Sequence, residues 1–351
     1  MISIVSFSQK YSTGKRLHPL LSAMMKSILS GLLMLCCITT AKAQPGTLTC
    51  NVPERMNTSA SHPSMSQTNS GALIVAFVLV RGVEDAANVY SASTTDYASM
   101  TSILGTDEYL SVKDGAAGAG GYPAGSFAGF EIETGGLLSL AAFSNVSIST
   151  YLGGALVQTK AVDASLLSAS LLTTGARGTV GFVASSAFDE VRISTSAVLA
   201  LGTIKIYNAV FEKFCAGPAL PCNTATIATS PTYPLTINNA RTGMSGVTVG
   251  SITNTDQIID ASTSNYGSIN FAVGVFGSAS VAVLDNVSTY PAGTFAGIDI
   301  ESASLLSVGV LDNMTLETYL DGVATGEVIT GANLLAVGSS LLAGSGRQVL
   351  G

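Results

Sequence analysis

Residues 122–132 read YPAGSFAGFEI and residues 290–300 read YPAGTFAGIDI, with eight of eleven positions identical and the other three exchanged like for like. An internal repeat limits the fold more than any local propensity, because both copies must bury the same face in the same way. The spacing, 290 − 122 = 168 residues, is that of a domain. A chain of 351 residues has room for about two such units.

Each copy can be read against the other. ANVYSASTTDYASM (87–100) faces DQIIDASTSNYGSI (256–269), which matches Tyr97 to Tyr266. SVKD, ending at Asp114, faces AVLD, ending at Asp285, and both lead into the YPAG phrase through a loop three residues shorter in the second copy. A loop that tolerates a length change is expected to be exposed. Pro123 and Pro291, with φ fixed near −65°, suit the second position of a β-turn that Gly125 and Gly293 close. In the strand that follows, alternation puts Ala128, Phe130 and Ile132 on one face and Phe127, Gly129 and Glu131 on the other. The second copy repeats this with Ala296, Ile298 and Ile300 against Phe295, Gly297 and Asp299. A glycine kept inside a strand points to a bulge or a close backbone approach.

Downstream, NVSISTYLGGALVQ and NMTLETYLDGVATG alternate around Gly153-Gly154 and Asp321-Gly322, dipeptides suited to two-residue hairpins. GTVGFVASSAFDEVRI and GTIKIYNAVFEKF add further strand-like runs to the first copy. Many short strands between turn signals indicate an all-β chain of tandem jelly-roll-type β-sandwich modules. In the second copy LLAGSGRQVLG reaches Gly351, the match of Gly181, and the two following runs have no counterpart. The second module is therefore expected to be truncated at its C-terminus and the chain to be a fragment of a larger protein.

The remaining boundaries follow from composition. Residues 1–43 read as a Sec-type signal peptide, with Met24 or Met25 as an alternative start, Lys26, an apolar run from Ile28 to Ile38 and Ala41-Lys42-Ala43 before Gln44. That run is shorter than the ~20 residues of a membrane span, and none is expected after cleavage. Leu35 before Cys36 is too large for a lipoprotein cleavage site. Residues 44–70 read as a leader or linker, 71–214 as module 1, 215–245 as a second linker and 246–351 as module 2. Export of the chain predicts a location in the medium or on the cell surface.

Export also bears on Cys50, Cys215 and Cys222, the cysteines left after cleavage. The short CAGPALPC loop favours a Cys215–Cys222 disulfide, although three pairings are open. His62 is the single histidine of the mature chain and no CxxC spacing occurs, so a zinc site is a poor fit. Histidine-dependent nucleophilic catalysis is excluded on the same ground, since His62 lies outside both repeats.

Asp114 with Glu131 recurs as Asp285 with Asp299, the residue types a glycosidase places on either side of a bond. Without any Trp to stack a sugar, solvated acids on an outer sheet face are the plainer reading. A structural Ca²⁺ site would need only loop oxygens, but no EF-hand or Gly-Asp nonapeptide loop is present. No cofactor is expected. Tyr97 and Tyr266 are candidate ligand contacts, with rim packing as the alternative. Sequons stand at Asn57, Asn145, Asn286 and Asn313. A net charge of −7 with no basic patch argues against nucleic acid as a partner.

The segments IDASTSNYGSI, TYPAGTFAGIDI, AFDEVRI and CAGPALPCNT resemble tandem modules of large secreted surface proteins of Gram-negative gliding bacteria. That resemblance implies an adhesive or envelope role. More distantly, D-x-S-T-S-N-Y is similar to the start of discoidin-like, galactose-binding sandwich domains, which usually carry Trp where Tyr97 and Tyr266 stand. The combined expectation is a non-enzymatic exported surface protein of adhesive or spacer modules, whose extracellular partner is a glycan or an envelope component. A carbohydrate-binding module is the alternative, and a glycan-cleaving enzyme comes third.

Overall fold

The computed structural model describes residues 47–351 apart from 75–81, 103–105, 135–142, 144, 164–165, 167–176, 197–201, 247–249, 272–276, 302–313 and 335–346. The signal-peptide segment, residues 75–80 at the end of the GALIVAFVLV run and the Asn313 sequon lie outside the described residues.

Among the described residues the first repeat contains eleven strands: β1 Glu54–Met56, β2 Met65–Gln67, β3 Gly71–Ile74, β4 Ala98–Ser102, β5 Thr106–Asp114, β6 Phe127–Thr134, β7 Val146–Leu152, β8 Ala155–Ala161, β9 Arg177–Val183, β10 Glu190–Thr195 and β11 Gly202–Glu212. They form two antiparallel sheets, one ordered β1-β11-β6-β9 with β4 also on β11, the other β2-β5-β10-β7-β8 with β3 also on β5. Met56, Met100, Phe130, Ile132, Ile204 and Phe211 of the first sheet and Leu110, Val112, Ile148, Val191 and Ile193 of the second belong to one buried core. Facing sheets with a shared core make a β-sandwich. The alternation read from the sequence holds at β6, where Ala128, Phe130 and Ile132 are all fully buried.

The β7–β8 turn has φ of +58° at Gly153 and +84° at Gly154, the left-handed pair a two-residue hairpin requires. In the YPAG turn, however, Ser126 N donates to the Pro123 carbonyl, so proline takes the first position and not the second. The cause is Gly125, whose φ of +85° suits the third position of a type II turn. Thr294, Pro291 and Gly293 repeat this arrangement.

Two linkers prove to be part of the fold. Within residues 44–70, β1 pairs with β11 and β2 with β5, so the first module starts before Gly71. The reason is the disulfide, which joins Cys50 to Cys215 and corrects the expected Cys215–Cys222 pairing. Asn51, with φ +58°, holds the site by accepting from Cys215 N at 2.8 Å and donating to the Cys215 carbonyl at 3.1 Å and the Pro231 carbonyl at 3.0 Å. Sequence proximity favours the short loop, but this clamp brings residues 165 apart into contact. Cys222 is a free, exposed thiol.

The second repeat contains β12 Leu235–Ile237, β13 Gly243–Ser245, β14 Gly250–Thr253, β15 Ser268–Phe271, β16 Ser278–Ser280, β17 Val283–Asp285, β18 Ile298–Glu301, β19 Thr315–Leu320, β20 Val323–Thr330 and β21 Arg347–Leu350. Two of these strands lie inside residues 215–245, so that linker also ends early. All ten pair two by two, as β12–β17, β13–β16, β14–β15, β18–β21 and β19–β20. Its β19–β20 hairpin turns at Asp321 and Gly322, with φ of +49° and +78°. Among the described residues no helix is long and apolar enough to cross a membrane.

Candidate functional site

Asp114 ends β5 and is 2% exposed. Tyr122 Oη donates to its Oδ2 at 2.5 Å, while Ser64 Oγ and Ala116 N each donate to Oδ1 at 2.8 Å. Burial, and then the hydrogen bond to Asp114, push the Tyr122 phenol far above its ordinary value. In the second repeat Tyr290 Oη donates to Asp285 Oδ2 at 2.7 Å, and Val287 N and Ser288 N donate to Oδ1. This Asp–Tyr clasp closes the variable loop, and it explains why AVLD and SVKD each precede YPAG. The carboxylates at Asp114 and Asp285 are engaged in holding the chain together.

The repeated strand glycine has an equally structural cause. Gly129 lies directly opposite Gly181, and a Cβ on it would stand 2.3 Å from Val180 O and 2.8 Å from Gly181 Cα. The Phe127 ring lies over this gap, its Cζ 2.9 Å from the same point. A Cβ on Gly297 would likewise meet Leu350 O at 2.7 Å and the Phe295 ring at 2.9 Å. Of the two sequence readings, the close backbone approach is the one the geometry gives, with an aromatic ring shielding the paired glycines.

Glu131 and Glu133 face away from the core on β6, as alternation requires. Glu131 is tied to Arg55 at 2.9 Å and to Arg177 at 3.2 Å, and Glu133 to Lys205 at 2.6 Å. Tyr207 Oη donates to Glu133 as well. Hydrogen bonds from Lys205 and then Tyr207 hold the Glu133 carboxyl below its usual range. The Arg177 guanidinium stacks 3.5 Å from the Tyr207 ring centroid, and Tyr97 meets Tyr207 edge-on at 5.6 Å. Lys205 Nζ lies 5.0 Å from the Tyr97 centroid.

Tyr97 and Glu131 thus belong to one patch, joined through Arg177 and Tyr207. Asp114 stands in the other sheet. Arg55, Glu133, Arg177, Lys205 and Tyr207 were not singled out from sequence, although the i, i+2 spacing of Glu131 with Glu133 and Lys205 with Tyr207 marks residues sharing a face. A β-bulge between Ile206 and Asn208 blurs that signal. The second repeat carries part of the same set, with Tyr266, Asp299, Glu301 and Arg347 at the positions of Tyr97, Glu131, Glu133 and Arg177 and Glu301 paired in register with Arg347 as Glu133 is with Arg177; counting from Cys222 as from Cys50, Ile227 stands where Arg55 does, and Tyr266 is 70% exposed. Asp299 pairs in register with Val349, as Glu131 does with Thr179.

A concavity of about 280 Å³ is lined by Asp107, Asn145, Val146, Ser147, Ala161, Ser194, Thr195 and Ser196, a mixed polar and apolar surface that includes one sequon asparagine. Among the described residues no cluster of three His, Cys, Asp or Glu could hold a metal ion. His62 is buried with Nε2 2.9 Å from Glu54 Oε2, a pair inside the first module.

No family model and no curated protein matches the chain. Among solved structures it is similar to the lectin domain of lectinolysin, solved in complex with Lewis B antigen, at 12% identity and a TM-score of 0.27, covering 42% of this chain and 93% of that one.

Proposed function

We propose that this is an exported, non-enzymatic surface protein whose sandwich modules serve as adhesive or spacer units. The observation that carries the reading is what the repeat preserves. The Asp–Tyr clasp, the shielded glycine approach and the left-handed hairpin turn recur in both copies, and each has a folding role. Of the Tyr97 patch, Arg55, Lys205 and Tyr207 have no counterpart among the described residues of the second copy. Modules that act as scaffold need share only their architecture.

Chemistry supports the same reading. Asp114 and Glu131 lie in different sheets, and each is held by partners, Tyr122 for the first and two arginines for the second. Such a pair does not flank one glycosidic bond. A disulfide joining the two ends of the first module accords with an oxidising compartment and hence with export.

Carbohydrate binding is the second reading, favoured by Tyr97, 38% exposed beside a stacked arginine–tyrosine pair. A glycan array separates the two. The scaffold reading expects no reproducible sugar class above background. Binding to one class that Tyr97→Ala abolishes, with the unfolding midpoint unchanged, would replace it with the carbohydrate-binding reading.

A further inference from the structure

In the first module two strands hold everything together. β10 lies between β5 and β7, and β11 lies between β6 and both β1 and β4. The five strand pairs of the second repeat match, in order, β2–β5, β3–β5, the Glu84–Ser99 bridge beside β4, β6–β9 and β7–β8. Among the described residues no strand joins them. The inner face is correspondingly bare. Val112, Tyr122 and Met100 are 0%, 3% and 1% exposed, whereas Val283, Tyr290 and Ile269 at the matching positions are 41%, 44% and 45% exposed.

A second, independent sign comes from the cysteines. Cys222-Asn223 repeats Cys50-Asn51, both preceded by a leucine two residues earlier, and Asn223 has φ +57° against +58° for Asn51. In the first module that Cys-Asn pair captures the chain just after β11, through the Cys50–Cys215 disulfide and the Asn51 clamp on Cys215. Cys222 is free and exposed, in the same local conformation.

We infer that the second repeat is an acceptor for a two-stranded segment of a separate partner polypeptide, carrying the chemistry of β10 and β11, which it receives into both split sheets and locks through a disulfide to Cys222, formed by exchange with a small-molecule disulfide that leaves as two thiols. The first module specifies this occupant. Its first strand alternates like Val191 and Ile193, and its second like Ile204 and Ile206, with a cation in the place of Lys205 to meet Glu301 as Lys205 meets Glu133. A cysteine follows three residues after the second strand, as Cys215 follows Glu212. In one respect the occupant differs: Ser111 and Lys113, which meet Glu190 and Asp189, are replaced by Ala282 and Leu284. The incoming strand therefore lacks the Ser111 and Lys113 partners of those two acids and faces a more apolar neighbour there. Open strand edges and exposed apolar surface provide the driving force, as in strand-addition complexes.

The probe is a synthetic peptide of residues 186–215, with the two acids replaced (Asp189→Ser, Glu190→Val), added to the full chain in a buffer of reduced and oxidised glutathione, the oxidised form being reduced to two thiols as the new disulfide forms. If it is insoluble, the same residues are grafted after Gly351. The expected result is a one-to-one complex, a disulfide between Cys222 and the peptide's Cys215 in mass spectra, and at least ~10-fold slower cleavage of residues 222–351 by protease. Cys222→Ser should lose the covalent link and keep the protection. The inference fails if residues 222–351 resist protease as well as the first module without the probe. It also fails if the chain alone forms a dimer that gives the same protection, or if the graft leaves Cys222 reactive and cleavage unchanged.

Discussion

Tyr122→Phe tests the Asp–Tyr clasp with little other disturbance, because the ring that packs 5.7 Å from Phe188 and 5.0 Å from Phe211 is retained. Only the hydroxyl is lost. Asp114 Oδ2 then has no donor from Tyr122 in a site that is 2% exposed, while Oδ1 keeps Ser64 and Ala116 N. A hydrogen bond to a charged acceptor contributes about 1.5–3 kcal/mol, and the buried location places this one toward the upper end. For a module of this size, such a loss lowers the thermal midpoint by roughly 4–10 °C. Tyr290→Phe is the internal control. Its clasp has the same chemistry but the ring is 44% exposed, so water replaces the hydroxyl and the cost is below about 1 kcal/mol. Urea and thermal unfolding followed by circular dichroism would measure both, with Asp114→Asn and the double variant completing a cycle. Equal losses at Tyr122 and Tyr290, or a coupling below about 0.5 kcal/mol between Tyr122 and Asp114, would refute the claim that burial makes the first clasp a stabilising element.

Gly129→Ala should destabilise the first module by about 3 kcal/mol, because its Cβ meets the β9 backbone at Val180 O and Gly181 Cα, which cannot yield as the nearby Phe127 ring can; unchanged urea midpoints would show that the strands can part without cost. Peptide mapping without reduction should find Cys50 joined to Cys215 and Cys222 labelled by a maleimide, and Cys50→Ser should cost about 4–5 kcal/mol for a loop this long. Glu108 is fully buried, and burial pushes its carboxyl up to about 7. A raised acid leaves the fold most stable below the unfolded-state value, and that contribution is lost as pH rises through 7, by at most about 3 kcal/mol. Glu108→Gln should therefore gain on wild type between pH 4.5 and 8; a constant difference across that range would remove the pH argument.

Local patterns accounted for what depends on neighbours in sequence. Alternation at Ala128, Phe130 and Ile132 determined the buried face, since a strand's period is set by its own backbone, and the Gly-Gly and Asp-Gly pairs marked the hairpins because positive φ is a single-residue property. The doubled phrase determined that whatever one copy does, the other must do with the same turn. Three things were decided only in three dimensions. The Cys50–Cys215 disulfide depends on β1 lying against β11, a pairing across more than 150 residues that the closeness of Cys215 to Cys222 obscured. Asp114 and Glu131 look like one acidic pair in sequence, but consecutive strands of a sandwich cross from one sheet to the other, and so one acid is buried under a tyrosine and the other lies on an outer face between two arginines. The patch around Tyr97 draws Arg55, Glu131, Arg177 and Tyr207 from four segments, and a bulge in β11 shifts the alternation that would have aligned them. Sequence sets the periodicity of each strand, while the order in which strands hydrogen-bond sets which side chains become neighbours.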